Sequence, residues 1–87
     1  MPEGLCHAMF YAYIIRGIPF PKQRYVGYTS DLRQRIEAHN YGQDKHTAPY
    51  KPWKLEAYIA LDSEEKARAF ERYLKSGSGH AFASRHF

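Results

Sequence analysis

Cysteine is almost missing from this chain. Cys6 is the only one in 87 residues, which rules out an internal disulfide and a cysteine-built metal cluster. Tryptophan occurs once, as Trp53, and asparagine once, as Asn40. No apolar run approaches the ~18–20 residues needed to cross a bilayer, so a transmembrane chain is excluded. Met1–Ala8 has no basic segment followed by an apolar stretch, so it does not read as a secretory signal. A loose leader over 1–8 and a cytoplasmic location are expected. There is no internal repeat, no low-complexity tract, and no Gly-x-Gly-x-x-Gly, Walker loop or nucleophile elbow. His7, His80 and His86 lack metal-ligand spacing, which leaves no zinc site.

What is present is apolar and aromatic. At 44% hydrophobic and 16% aromatic residues, the chain is too apolar for intrinsic disorder. Its length fits one domain, taken as 9–87, which buries roughly 60–68% of the surface of the unfolded chain. The net charge is +4 and the pI about 9.3, a balance that favours an anionic partner. Eight tyrosines are more than so small a core needs, so several phenols are expected near water or near chemistry.

The run Phe10-Tyr11-Ala12-Tyr13-Ile14-Ile15 is β-prone and stops at Gly17. Two prolines mark 17–23 as a hairpin loop, and Arg24–Thr29 reads as a second, antiparallel strand. Ser30-Asp31 opens a helix from Leu32 to about Asn40, closed by Gly42. A long polar loop over 41–52 follows; such loops are more often functional than idle. From 53 to 61 the pattern alternates, with Trp53, Leu55, Ala57, Ile59 and Leu61 on one face and Lys54, Glu56 and Tyr58 on the other. Ser63-Glu64-Glu65 caps a last long helix through Lys75, which Ser76–Gly79 ends; the tail from His80 to Phe87 is expected to add one helical turn, with Phe82 docked on the body. The fold class is therefore α/β (α+β): a small three-stranded antiparallel sheet flanked by helices on one or both faces, in the order strand-strand-helix-strand-helix.

Three polar residues interrupt stripes that should be apolar. On the first helix the spacing of Leu32 and Ile36 passes through Arg35 and His39; on the last, the stripe Ala67, Phe70, Leu74 includes Glu71. A charge kept near a core costs several kcal/mol unless paired. Arg35 and Glu71 either bridge each other structurally, with His39 satisfied by a carbonyl, or the three line one pocket over the tyrosine-rich strands. Tyr11 and Tyr13 share a strand face, Tyr25 lies on the neighbouring strand, and Gly27 would let a ligand approach the backbone. His46 and Thr47 in the long loop are weaker candidates for substrate contact, as is Lys75, one turn beyond Glu71.

These residues resemble a known family. Tyr11-Ala12-Tyr13-Ile14 followed by Tyr25-Val26-Gly27-Tyr28-Thr29 is similar to the two short strands that name the GIY-YIG nucleases. The likeness continues through Asp31-Leu32, Arg35-Ile36, His39-Asn40 and Pro52-Trp53-Lys54-Leu55, and closes with Glu71 to Gly79. It covers nearly the whole chain and resembles most the compact stand-alone members, along with the N-terminal nuclease domain of the excision-repair incision enzyme. The resemblance implies hydrolysis of a DNA phosphodiester with one divalent metal, Mg²⁺ or Mn²⁺. DNA is the implied partner, branched or damaged forms included, with RNA left open.

By position, Tyr13, Tyr25, Arg35, His39 and Glu71 fill the catalytic places, and Glu71 that of the metal ligand. Glu71 as a hard oxygen donor suits Mg²⁺, and the fork of Arg35 suits the scissile phosphate. Tyr25 is favoured as the base, with Tyr13 as its hydrogen-bond partner and His39 as the alternative proton carrier. Tyr11, Gly27, Tyr28, Lys45, His46, Lys51, Lys54 and Lys75 are the expected nucleic-acid contacts, with Lys45, Lys51 and Lys54 clustered to guide the backbone. The first motif reads Tyr-Ala-Tyr, and the asparagine that many members carry beyond the glutamate is missing, since Asn40 precedes it. No added DNA-reading domain is apparent, so weakly selective or structure-directed nicking is expected. The alternatives are a catalytically weak or inactive nucleic-acid-binding module, and an interaction domain with a core salt bridge.

Overall fold

The unbroken β-prone run that begins at Phe10 becomes the middle strand of the sheet. The computed structural model describes residues 9–86, so the leader expected over 1–8 lies outside the described residues. Strands β1 (Phe10–Gly17), β2 (Arg24–Thr29) and β3 (Trp53–Leu61) form one antiparallel sheet in the order β2-β1-β3. Residues directly opposite each other in such a pair share a face. Tyr13 stands between Gly27 and Tyr58, and Ile15 between Tyr25 and Leu55; on the other face Ala12 stands between Tyr28 and Ile59.

The strict alternation expected for 53–61 is corrected by a β-bulge. Ile14 pairs with Ala57 and Ile15 with Leu55, which leaves Glu56 as an extra residue. Alternation survives on each side of the bulge, but its phase reverses. Trp53 and Leu55 therefore face the Tyr13 side, whereas Ala57, Ile59 and Leu61 face the Ala12 side. The side chain of Glu56 is used by two arginines, lying 3.2 Å from Arg16 Nη2 and 3.7 Å from Arg24 Nη2.

Helix α1 (Leu32–Tyr41) starts where Asp31 Oδ1 accepts the amide of Gln34 at 3.1 Å. It ends at Gly42, whose φ of 82° lets its own amide and that of Gln43 turn back to the carbonyls of His39 and Ala38. Helix α2 (Glu64–Lys75) is capped by Ser63, with Glu64 and Glu65 in its first turn and Arg72 and Lys75 in its last, matching the helix dipole at both ends. The two helices cover opposite faces. Leu32 and Ile36 of α1 pack on Tyr13, Ile15 and Trp53, while Phe70 and Leu74 of α2 pack on Ala12 and Ile14.

Two segments read as irregular from sequence have structure. The 41–52 loop holds a 3₁₀ turn, Ala48–Tyr50, and a cis Lys51–Pro52 bond. It is anchored by Asn40, whose side chain accepts the Trp53 amide at 2.6 Å and donates to the Trp53 carbonyl at 3.3 Å. The tail is a full helix, α3 (Gly77–His86), rather than one turn. Ser76 explains the difference: its amide closes α2 on the Arg72 and Tyr73 carbonyls, and its Oγ accepts the Gly79 amide at 3.2 Å, starting the next helix. Phe82 meets Tyr73 edge-on, with ring centroids 6.3 Å apart.

Candidate active site

The phenol of Tyr13 is the centre of the site. Its ring belongs to the buried cluster on the α1 side of the sheet, and its hydroxyl lies directly over Gly27, where a Cβ would fall 2.5 Å from the oxygen. Gly27 therefore makes room for Tyr13, which corrects the expectation that a ligand would reach the backbone there.

The stripe positions of α1 deliver two groups to that hydroxyl. Arg35 Nε donates to it at 3.2 Å, and His39 Nε2 lies 2.9 Å away. His39 is fully buried, and its other ring nitrogen meets Thr47 Oγ1 at 2.8 Å. Thr47 is itself buried, and its hydroxyl donates to the Asp44 carbonyl at 3.4 Å. Asp44 also holds the guanidinium, with Oδ2 3.1 Å from Arg35 Nη2. Thus one connected network joins Asp44, Arg35, Tyr13, His39 and Thr47, as buried polar groups require. About a third of the Arg35 side chain (34%) stays open to solvent.

This setting shifts several ionisations. Burial pushes the Tyr13 hydroxyl up to about 12, against the pull of the Arg35 hydrogen bond. Burial, followed by the Arg35 charge, lowers the pKa of His39 below 6.5, so the imidazole is neutral near pH 7. For Asp44, burial acts upward but is outweighed by the His46 amide and the neighbouring His39, Arg35 and His46, which hold its carboxyl below the usual carboxylate range.

Tyr25 joins this network to α2. Its ring lies 5.1 Å from that of His39 and 6.5 Å from that of Tyr13. Because β2 is an edge strand, α2 on the far face reaches past it, and Lys75 Nζ sits 5.9 Å from the Tyr25 ring centroid. Glu71, one turn back, lies 3.1 Å from Lys75 Nζ with only 17% of its side chain exposed. A cleft of about 380 Å³ runs along this edge, lined by Lys22, Arg24, Tyr25 and Lys75 among others. The alternative of an Arg35–Glu71 bridge is corrected: Arg35 pairs with Asp44, and Glu71 with Lys75.

A family model described as the GIY-YIG catalytic domain matches residues 9–82. The chain belongs to the GIY-YIG family. It is also 36% identical over 66 residues to UPF0213 protein SpyM3_1077 of Streptococcus pyogenes serotype M3, covering 75% of this chain and 70% of that one. With UPF0213 protein SpyM50708 of Streptococcus pyogenes serotype M5 it shares 40% identity over 55 residues, covering 62% of this chain and 60% of the relative. Membership implies nuclease activity on nucleic acid at the level of the family.

The GIY-YIG domain distributes the other sequence candidates unevenly. Lys75 borders Tyr25, and the His46 amide donates to Asp44 at 2.8 Å, with the His46 side chain exposed. Lys45 is exposed in the same loop, and Lys51 extends its amine toward Gly42 at the end of α1. Lys54 stands opposite Arg16, on the face away from Tyr13, so Lys45, Lys51 and Lys54 do not form one cluster. Tyr28 is also on the far face, under the guanidinium of Arg68 at 5.9 Å. Tyr11 packs edge-on against Tyr58 at 5.9 Å. The two line an apolar groove of about 770 Å³ with Leu32, Ile36 and Leu55, which includes none of Tyr13, Tyr25, Arg35, His39 or Glu71.

The donor set suits a lightly held hard cation. Among the described residues, no group of three or more His, Cys, Asp or Glu side chains could hold a metal. Glu71 is a single, largely buried carboxylate whose ion-pair partner Lys75 is about half exposed (52%). Mg²⁺ keeps most of its waters and takes one or two carboxylates, so this fits. Asp44 was missed from sequence. Its signal, an acid five residues past a histidine in a long loop, identifies no partner until the loop folds back.

Proposed function

We propose that this GIY-YIG domain is a divalent-metal-dependent endonuclease that hydrolyses DNA phosphodiester bonds. The observation that carries the reading is Arg35: its guanidinium is fixed by Tyr13 and Asp44, stays partly open, and stands beside Tyr25. Such a held fork matches two oxygens of a phosphate better than a mobile lysine does. Tyr25 is the base. It lines the open cleft with Lys75, whereas Tyr13 is buried with its ionisation pushed up to about 12.

In this scheme the Tyr25 phenolate, its own proton already released to solvent, takes the proton of the attacking water as a new P–O bond forms. The P–O bond to the leaving sugar oxygen breaks in the same displacement, and that oxygen takes a proton from solvent. Arg35 stabilises charge that builds on the phosphate oxygens, a task for preorganised donors. Tyr13 and His39 hold Arg35 and the Tyr25 ring in place. Mg²⁺ or Mn²⁺, held by Glu71, would supply charge neutralisation at the phosphate and leaving oxygen. The Glu71–Lys75 ion pair favours one second reading, a nucleic-acid-binding module with little turnover.

Supercoiled plasmid separates the two. Nicking is expected with Mg²⁺ or Mn²⁺, is abolished by chelator, and is strongly reduced by Glu71→Gln and by Arg35→Ala. Binding without nicking in either metal would refute the nuclease reading and establish the module.

A further inference from the structure

We propose that Thr47 is a positioning residue that sets the direction of a buried hydrogen-bond chain ending on Arg35. The inference rests on the reading that Arg35 holds the scissile phosphate. Its basis is the donor count around Tyr13, His39 and Thr47, all three buried away from water. Arg35 can only donate, so the Tyr13 oxygen must accept from Nε at 3.2 Å. Tyr13 is 1% exposed, and the acceptor within reach of its own hydrogen is His39 Nε2, at 2.9 Å. Nε2 must then be the bare nitrogen, and Nδ1 carries the proton.

The Thr47 end closes the same way. Its hydroxyl donates to the Asp44 carbonyl at 3.4 Å, which turns a lone pair toward His39 Nδ1–H at 2.8 Å. Every donor in the chain then has an acceptor. The opposite tautomer breaks it at Tyr13, whose oxygen would face two donors while its own proton found no partner. Competition from an Nε2–H at that oxygen would loosen Arg35 Nε. Thr47 thus acts on Arg35 through His39 and Tyr13 without touching substrate. Its position on the 41–52 loop, held by Trp53 Nε1 donating to its carbonyl at 2.8 Å, ties the geometry of the phosphate-binding fork to that loop.

The test is ¹H–¹⁵N NMR of the imidazoles in the full chain at neutral pH, with the His39 signals assigned by their loss in His39→Gln. Wild type and Thr47→Ser are expected to show Nδ1 protonated and Nε2 bare. Thr47→Val is expected to shift His39 toward the Nε2–H form and to lower plasmid nicking about 10–100-fold, the range for loss of a partner that orients a functional histidine. Thr47→Ser should restore both. An Nε2–H tautomer in wild type overturns the proposal, as does a Thr47→Val chain whose His39 signals are unchanged. Should Thr47→Val fail to fold, the wild-type and Thr47→Ser spectra still decide it. The spectra need no turnover. A chain that never nicks DNA would sink the nuclease reading, while an Nδ1–H His39 would still support the chain's direction.

Discussion

Adding one methyl group at Gly27 tests the site at its tightest contact. A Cβ there would lie 2.5 Å from the Tyr13 hydroxyl oxygen and 2.7 Å from Cζ. Ordinary carbon contacts start near ~3.5 Å, so in Gly27→Ala the phenol must retreat by about 1 Å. That retreat disturbs the 2.9 Å contact with His39 and the 3.2 Å contact with Arg35 together. Misplacing a positioned group by about 1 Å costs on the order of 100-fold in rate. For stability, two strained hydrogen bonds and overpacking are partly offset by the lower unfolded-state entropy of alanine, for a net loss of about 2 kcal/mol. In a domain this small that lowers Tm by roughly 8–16 °C. The assay is the initial nicking rate of supercoiled plasmid at a temperature where circular dichroism shows the variant folded. Gly77→Ala is the control, because a Cβ there meets nothing within 4 Å. A Gly27→Ala chain with wild-type nicking and unchanged Tm would refute the placement of Tyr13 over Gly27 as the centre of the site.

His39 also makes stability depend on pH. Its folded pKa lies below the ordinary 6.5, so as pH falls through 6.5 the unfolded chain takes up the proton first and stability drops until the folded value is reached. Tm should fall more steeply below pH 6.5 in wild type than in His39→Gln; parallel curves would count against a buried neutral His39. The lysines separate by sheet face. Lys45→Gln and Lys51→Gln should each flatten the dependence of log K on log salt by about 0.9, whereas Lys54→Gln, on the face away from Tyr13, should leave the slope alone. A slope that responds only to Lys54 would place the DNA on the α2 side.

The order of elements, both helix caps and the polar interruptions at Arg35, His39 and Glu71 were legible in the sequence, because each depends on residues within one or two helical turns. Asp31 and Ser63 cap the helices they were expected to cap. What separates the polar residues into partners was not legible. The bulge at Glu56 reverses the faces of β3, and nothing in an alternating pattern marks where an extra residue will be squeezed out. Ser76–Gly79 looks like a stop signal, yet the same serine closes one helix and opens the next.

The site follows the same division. Residue spacing placed Arg35 and His39 on the inner side of one helix. Only the folded sheet decided that Tyr13, on a strand more than twenty positions away, would fill the space above Gly27 and meet both. Spacing likewise put Glu71 and Lys75 one turn apart, but their approach to Tyr25 exists because β2 is an edge that α2 can reach around. Short-range periodicity fixes which side of an element a residue occupies. Which charge it pairs with depends on chain segments brought together by burial, and that choice belongs to the tertiary structure.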